Sequence, residues 1–261
     1  MTQSISLAPP PGSRIVIAGG AGGIGRQLVQ TCRDHEHLPI VLDLPASLEA
    51  HQDSHAGQGI GFDGGDPASI EAAVAEVGRR HDAIDAFVFL SGFPILPRRP
   101  LLETDIERWD ELMAVNLRAA YLFFKALVPL LREGNNPAVV SVASSLAYQV
   151  MPGMSTYAAS KGALVSLTKG FAMENAPKIR ANVVAPGAVD TDFLGGGTGR
   201  SANDFNRDWF DQLSNTYVAA VPLARVAEPA DIVGPIMFLL GHGSSYMTGQ
   251  VLHVNGGRLT P

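Results

Sequence analysis

Tyr157 and Lys161 stand four residues apart in "STYAASK" (155–161), separated by the small Ala158, Ala159 and Ser160. On a helix that spacing puts a phenol and an ammonium on one face. A free phenol titrates at about 10, too high for a base at neutral pH, and a neighbouring ammonium favours the phenolate. The chemistry this allows is proton transfer to or from a substrate oxygen. Oxidising an alcohol also removes a hydride from carbon. No side chain accepts a hydride, so a redox cofactor must lie within reach.

A site for one precedes the pair. "AGGAGGIG" (18–25) follows the short β-branched run "RIVIAG" (14–19) and opens a stretch in which Ile24, Leu28, Val29 and Cys32 have helical spacing. Glycines at such a turn let backbone amides approach a pyrophosphate. Two templates overlap: Gly20, Gly22 and Gly25 fit G-x-G-x-x-G, and Gly19, Gly23 and Gly25 fit G-x-x-x-G-x-G. Asp43 ends the next strand, "LPIVLDL" (38–44), where a carboxylate accepts hydrogen bonds from ribose hydroxyls and repels a 2′-phosphate. No arginine follows Asp43 directly, and Gly22 rather than a basic residue precedes Gly23, so NAD is expected over NADP. Asp63 is a second candidate, for the adenine or for a plain turn.

The elements that must position these residues alternate along the chain. Helical patterns at 69–80, 105–131, 155–175 and 229–240 are interleaved with apolar strands at 85–92, 138–144, 180–187 and 249–257. This predicts α/β architecture: a single Rossmann-like domain over 13–261, a doubly wound parallel sheet with helices on both faces. Residues 1–12 read as a flexible tail. The segment 194–216, with Trp209 and Phe210, breaks the alternation and reads as an excursion covering the substrate.

Bulk properties narrow the function classes. Of 261 residues 46% are hydrophobic, enough for one sizeable core, and a formal charge of −6 argues against nucleic acid or an anionic membrane as partner. The single Cys32 cannot form an internal disulfide. No signal-peptide pattern opens the chain and no run approaches the roughly 20 apolar residues of a membrane span. A cytoplasmic setting is expected. His51 and His55, with Glu49 and Asp53, have metal-like spacing but lie among turn formers; a solvated loop and no metal are expected. No G-x-S-x-G elbow supports a hydrolase.

"AGGAGGIG", "MAVNLRAAY", "VASS", "YAASK", "VVAPGAVDT" and "MTGQVLHVNGG" run in this order from about residue 14 to the C-terminus. On these motifs the chain resembles the short-chain dehydrogenase/reductase family. The resemblance implies Tyr157 as catalytic acid/base, Lys161 as its partner on the nicotinamide ribose, and Ser144 as donor to the substrate oxygen. Ser145 is one step out of register. It implies Asn116 as the fourth catalytic member, anchoring a water. Cofactor contacts are expected from Gly19, Gly23, Ile24, Gly25, Asp43, Asp63, Ser91, Gly92, Pro186, Gly187, Val189 and Thr191, besides Tyr157 and Lys161. Leu146, Tyr148, Met151, Met154, Ala188 and Phe193 are the expected substrate wall, with Trp209 and Phe210. A homotetramer through the helices at 105–131 and 155–175 is also implied.

Two positions depart from the family pattern. Ala18 replaces its threonine, and Phe89-Leu90-Ser91-Gly92 replaces N-N-A-G. Apolar packing is expected to substitute for the lost polar links. The expected activity is NAD-linked interconversion of a secondary alcohol and a ketone, on a hydrophobic or ring-containing small molecule. Two alternatives stand beside it: an NADP-dependent ketone reductase of the same fold, and a non-catalytic dinucleotide-binding regulatory protein.

Overall fold

The computed structural model describes residues 7–195 and 216–260. Its strands are β1 (Arg14–Ala18), β2 (Leu38–Asp43), β3 (Ile60–Gly61), β4 (Ala86–Phe89), β5 (Ala138–Val142), β6 (Arg180–Pro186) and β7 (Val251–Val254). The helices between them are α1 (Gly23–Asp34), α2 (Pro45–Ala50), α3 (Pro67–Arg80), α4 (Ile106–Met113), α5 (Ala119–Arg132), α6 (Ser155–Asn175) and α7 (Pro229–Leu240). The strands form one parallel sheet in the order β3-β2-β1-β4-β5-β6-β7.

A sheet covered on both faces needs strands that are apolar on both faces. In β1, Val16 and Ala18 point to one side and join Phe87 and Phe89 of β4, Phe123 and Leu127 of α5, and Phe171 of α6. Ile15 and Ile17 point to the other side, with Val88, against Leu28 and Val29 of α1 and Ile232 and Ile236 of α7. Phe89, one of the departures from the family pattern, is fully buried with its ring 6.4 Å from those of Phe87 and Phe123. Strand order reverses between β1 and β4. There the outgoing connections part and leave a crevice at the carboxyl ends of the strands.

Several details differ from the sequence expectations. Residues 7–12 are not a loose tail: the Gly12 amide donates to Glu36 O at 2.8 Å, and Leu7 and Ala8 pack on Gly241 and Gly243. Strand β4 stops at Phe89; Leu90 N still donates to Ala18 O (2.8 Å), and the chain then turns out of the sheet. The helix expected over 105–131 is interrupted by a π-helical turn, Ala114–Arg118. Taken whole, Ile106–Arg132 is long and apolar enough to cross a membrane by length and composition, contrary to the expectation that no run was. Half of its most apolar window is buried against this domain, because α5 supplies the core face just described.

The segment at 49–55, expected as a solvated loop, is the end of α2 and a 3₁₀ turn (Gln52–Ser54), with Glu49 and Asp53 exposed but His55 turned inward. His55 is buried, its Nδ1 accepting from Gly59 N (3.0 Å) and its Nε2 donating to Leu48 O (3.0 Å), while His51 lines the crevice. Trp209 and Phe210 lie outside the described residues.

Candidate active site

The glycine turn at the end of β1 separates the two templates on steric grounds. Gly19 has φ +89°, and a Cβ there would fall 2.9 Å from Ser91 N. A Cβ on Gly23 would lie 2.6 Å from Thr191 Cγ2, and one on Gly25 would collide with the Gly19 carbonyl. Gly22 has room, its nearest atom being Gly19 O at 3.4 Å. The spacing that the fold enforces is therefore Gly19, Gly23 and Gly25. A cradle of bare backbone at the N-terminus of a 12-residue helix suits the pyrophosphate of a dinucleotide. Asp43 faces this turn: its Oδ2 accepts from Ala21 N and its Oδ1 from Leu44 N, each at 2.8 Å. Burial raises its pKa, opposed by these amides and by the Arg26 guanidinium.

The proton-transfer residues converge on the same crevice from β5, α6 and the π-turn. Ser144, extended just beyond β5, accepts from Leu146 N (3.1 Å), and its hydroxyl faces that of Tyr157 closely enough to favour the phenolate. It is Ser144, not Ser145, that meets the phenol. Helix α6 is fixed to β5 by the Thr168 and Ser141 hydroxyls, 2.8 Å apart in the core. That contact places Tyr157 beside Ser144, and Lys161 one turn further on with its Nζ donating to Val142 O (3.1 Å). The Lys161 Nζ lies 5.8 Å from the centre of the Tyr157 ring.

Asn116 sits in the π-turn, where an inserted residue re-aims the helix. Its Oδ1 accepts from Phe93 N (2.9 Å), and its Nδ2 donates to Phe93 O (3.0 Å) and to Ser160 Oγ (3.1 Å). Both amide hydrogens are thus spent on protein, and the side chain acts as a clamp between the exit of β4 and α6. This differs from the expected water anchor. The clamp holds Gly92 so close that a Cβ there would come within 3.0 Å of Asn116 Oδ1 and 3.2 Å of Lys161 Nζ. Ser160, read from the sequence only as a small spacer, completes it by donating to Tyr157 O at 2.8 Å.

Electrostatics corrects the simple picture of an ammonium drawing the phenol toward phenolate. Burial dominates both groups. It raises the Tyr157 hydroxyl above the ordinary phenol value, opposed only by the Ser144 hydrogen bond, and it lowers Lys161 to about 8. Tyr157 is accordingly a protonated hydroxyl at neutral pH, suited to giving a proton to a substrate oxygen.

One cavity of about 610 Å³ joins the glycine turn to these residues. That is the size range of small-molecule sites. Ser144, Tyr157, Lys161, Gly19, Gly23, Ile24, Gly25, Asp43, Ser91, Gly92, Pro186, Gly187, Val189 and Thr191 all line it, as do Leu146, Met151, Met154, Ala188 and Phe193. Asn116 stands behind the wall. Two expected contacts are elsewhere. Asp63 turns its carboxylate to Gly65 N (2.8 Å), and Phe62 and Gly64 form the wall there. Tyr148 follows a 3₁₀ turn (Ser145–Ala147) that swings it outward, edge-on to His253 at 4.6 Å. The sequence reading missed Arg26, Arg98, Tyr217 and Arg258, which also line the cavity. Arg258 carried a legible signal, since a basic residue just beyond the carboxyl end of a strand lies where ligands bind.

The fold and the site define a nicotinamide-dinucleotide oxidoreductase acting on CH–OH groups. Comparison with known proteins agrees. A profile of the family described as Enoyl-(Acyl carrier protein) reductase matches residues 19–258. The 3-oxoacyl-(acyl-carrier-protein) reductase of Chlamydia trachomatis is 32% identical over 189 residues, covering 72% of this chain and 71% of that one. Dehydrogenase/reductase SDR family member 4 of Homo sapiens is 28% identical over 93% of this chain and 86% of its own length. Among solved structures, a short-chain dehydrogenase/reductase described as glucose/ribitol dehydrogenase, from Brucella melitensis, superposes with a TM-score of 0.86 at 26% identity, over 97% of this chain and 99% of that one. A candidate NAD(P)-dependent gluconate 5-dehydrogenase from Beutenbergia cavernae, with NADP bound, gives 0.82 at 27% identity over 96% and 98%. The chain belongs to the short-chain dehydrogenase/reductase family.

Proposed function

We propose that this enzyme interconverts a secondary alcohol and a ketone with NAD(H), using Tyr157 as acid/base. The observation that carries the proposal is the Ser144–Tyr157 hydroxyl pair on the wall of a cavity that runs to the glycine cradle. A bound nicotinamide supplies the hydride acceptor or donor. In the reducing direction the buried Tyr157 hydroxyl gives its proton to the substrate oxygen. In the oxidising direction it takes that proton back. Ser144, whose oxygen already accepts from Leu146 N, has one hydrogen, which can turn from the Tyr157 oxygen to orient the substrate oxygen. Lys161 is pinned by Val142 O beside Gly92, the position from which an ammonium would hold a ribose. Asn116 is a positioning residue that fixes the Phe93 backbone to α6. The relatives' printed activities, on a 3-oxoacyl group and on sugars, are ketone and alcohol chemistry of this kind.

The preference for NAD rests on Asp43, whose carboxylate stands at the end of β2 against the glycine turn. NADP is a second reading. It is favoured by Arg26, which lines the same end of the cavity and interacts with Asp43, and by NADP in the Beutenbergia structure. Dissociation constants of NADH and NADPH for the wild type and Asp43→Ala separate them. NADH is expected to bind at least about tenfold more tightly to the wild type, about 1.4 kcal/mol, with the gap closing in the variant. Tighter NADPH binding by the wild type would overturn the assignment. The assembly proposed with this activity is a homotetramer through the outer faces of α5 and α6, where Tyr121 and Met173 are exposed. Light scattering would read a mass near four chains; a monomer would refute it.

A further inference from the structure

The stretch 186–193 touches both halves of the site. Thr191 packs against the glycine turn, where a Cβ on Gly23 would lie 2.6 Å from its Cγ2. Two residues on, the Phe193 ring lies 6.2 Å from that of Tyr157. Pro186, Gly187, Ala188 and Val189 line the cavity between them. A dinucleotide with its pyrophosphate in the cradle and its nicotinamide beside Tyr157 must therefore run along this stretch.

The stretch is held mainly by backbone hydrogen bonds. Gly187 N donates to Val254 O (2.9 Å), Asp190 N to Ala227 O (2.8 Å), and Ala188 O accepts from Ala227 N (3.1 Å). The Ala188 amide is the exception. It donates to a side chain 29 residues downstream, the Tyr217 hydroxyl, at 2.8 Å. That oxygen comes in where Gly187 has no side chain, and a Cβ on Gly187 would collide with it. Tyr217 itself lines the cavity.

The Tyr217 ring is held in turn by Arg258, whose guanidinium lies 4.7 Å from the ring centre. Its Nη2 reaches the Met151 sulfur at 4.0 Å. Arg258 comes from the turn after β7, which Asn255 shapes, with Oδ1 accepting from Gly257 N (3.0 Å) and Nδ2 donating to Leu259 O (2.9 Å). A backbone amide that loses its acceptor turns toward another one. Without the Tyr217 oxygen, the peptide between Gly187 and Ala188 loses the bond that sets its orientation.

We propose that Tyr217 is a positioning residue for hydride transfer: its hydroxyl fixes the 187–189 backbone against which the nicotinamide end of the cofactor lies, without touching the reacting atoms. This rests on the oxidoreductase reading above and adds to it a residue that acts through the backbone.

Calorimetry on the full chain tests the assignment without requiring turnover. The probes are NADH against ADP-ribose, and NADPH against 2′-phospho-ADP-ribose, each pair differing only by the nicotinamide ring. Tyr217→Phe keeps the ring under Arg258 and removes only the oxygen. It should bind the wild type's preferred dinucleotide about tenfold less tightly, about 1.4 kcal/mol, and the nicotinamide-free probe within about twofold of the wild type. Gly187→Ala, whose methyl would displace the hydroxyl, should show the same selective loss. It should also cost less in the Tyr217→Phe background than alone, because the two changes break one contact. Dinucleotide affinity unchanged in Tyr217→Phe would overturn the assignment, as would strictly additive losses in the double variant. An equal fall for both probes would also overturn it, making Tyr217 a contact of the fold alone. Failure of the oxidoreductase reading looks different: the selective loss appears, but no alcohol or ketone turns over with either cofactor.

Discussion

Alanine substitutions at Gly22, Gly23 and Gly25 should give graded, not uniform, losses, because a new methyl meets a different obstacle at each position. At Gly22 it meets open space out to Gly19 O at 3.4 Å, and the backbone there (φ −71°, ψ 171°) is one alanine adopts. Losing a preferred N-cap costs a few tenths to about 1 kcal/mol. Stiffening the unfolded chain returns about 0.4–1 kcal/mol, so the net change is near zero. At Gly23 the methyl meets the Thr191 side chain at 2.6 Å, which can shift at a cost of about 1–2 kcal/mol. At Gly25 it meets the Gly19 carbonyl and Gly20 C at 2.7 Å, backbone that cannot yield without rebuilding the turn. There the cost is about 3 kcal/mol or more, a fall in Tm on the order of 10 °C for a chain of this length. Thermal unfolding reads the stabilities and fluorescence titration with reduced cofactor reads the cradle. Affinity should be nearly kept in Gly22→Ala, reduced in Gly23→Ala by displaced Thr191, and lost in Gly25→Ala. If Gly22→Ala were as damaging as Gly25→Ala, the Gly19, Gly23, Gly25 spacing would be the wrong template.

Other perturbations probe the neighbours of the site. Lys161 is lowered from 10.5 to about 8, so its ammonium is lost as pH rises through about 8. Ketone reduction should be level below that pH and decline above it, and Lys161→Met should show no break there; an unchanged profile in the variant would remove Lys161 from the mechanism. Because the folded value lies below the ordinary one, this group destabilises the fold fully below about pH 8, and stability rises from there toward 10.5. Arg180 is buried, with Nη1 donating to Leu239 O, Ser244 O and Ser244 Oγ and Nη2 to Leu240 O and Gly241 O, tying the end of α7 to β6. Arg180→Met should cost about 3–5 kcal/mol in denaturant unfolding by stripping those carbonyls of their donor; a loss under about 1 kcal/mol would contradict that role.

The fold was readable because parallel strands are buried on both faces. Runs such as "AVVSV" and "RANVVAP" are continuous for that reason, and α6 and α7 begin and end where their patterns do. The π-turn was not readable. Helical periodicity over 105–131 averages across one inserted residue, and only the Asn116 clamp shows why the insertion is there. The anchoring of residues 7–12 also escaped, since single contacts from Leu7 and Gly12 leave no period in the sequence. Within the site, spacing located Tyr157 and Lys161 and the family resemblance added Ser144, but neither gave the direction of the Tyr157 shift. That depends on burial by Phe193 and the neighbouring walls, which sequence distance does not encode. Tyr148 failed for a related reason: a 3₁₀ turn faces its residues differently from the strand before it. Arg258, the last basic residue of the chain, reaches the site through one three-dimensional turn.

The central claim is that Tyr157 moves the proton. It is tested most directly by comparing wild type and Tyr157→Phe in reduced-nicotinamide absorbance assays on a substrate found by screening secondary alcohols and ketones. The variant keeps the ring that packs near Phe193, 6.2 Å away, and loses only the hydroxyl that meets Ser144. The account predicts a fall in kcat of about 10²–10⁴-fold with an unfolding temperature close to that of the wild type. Turnover within about twofold of the wild type would contradict it.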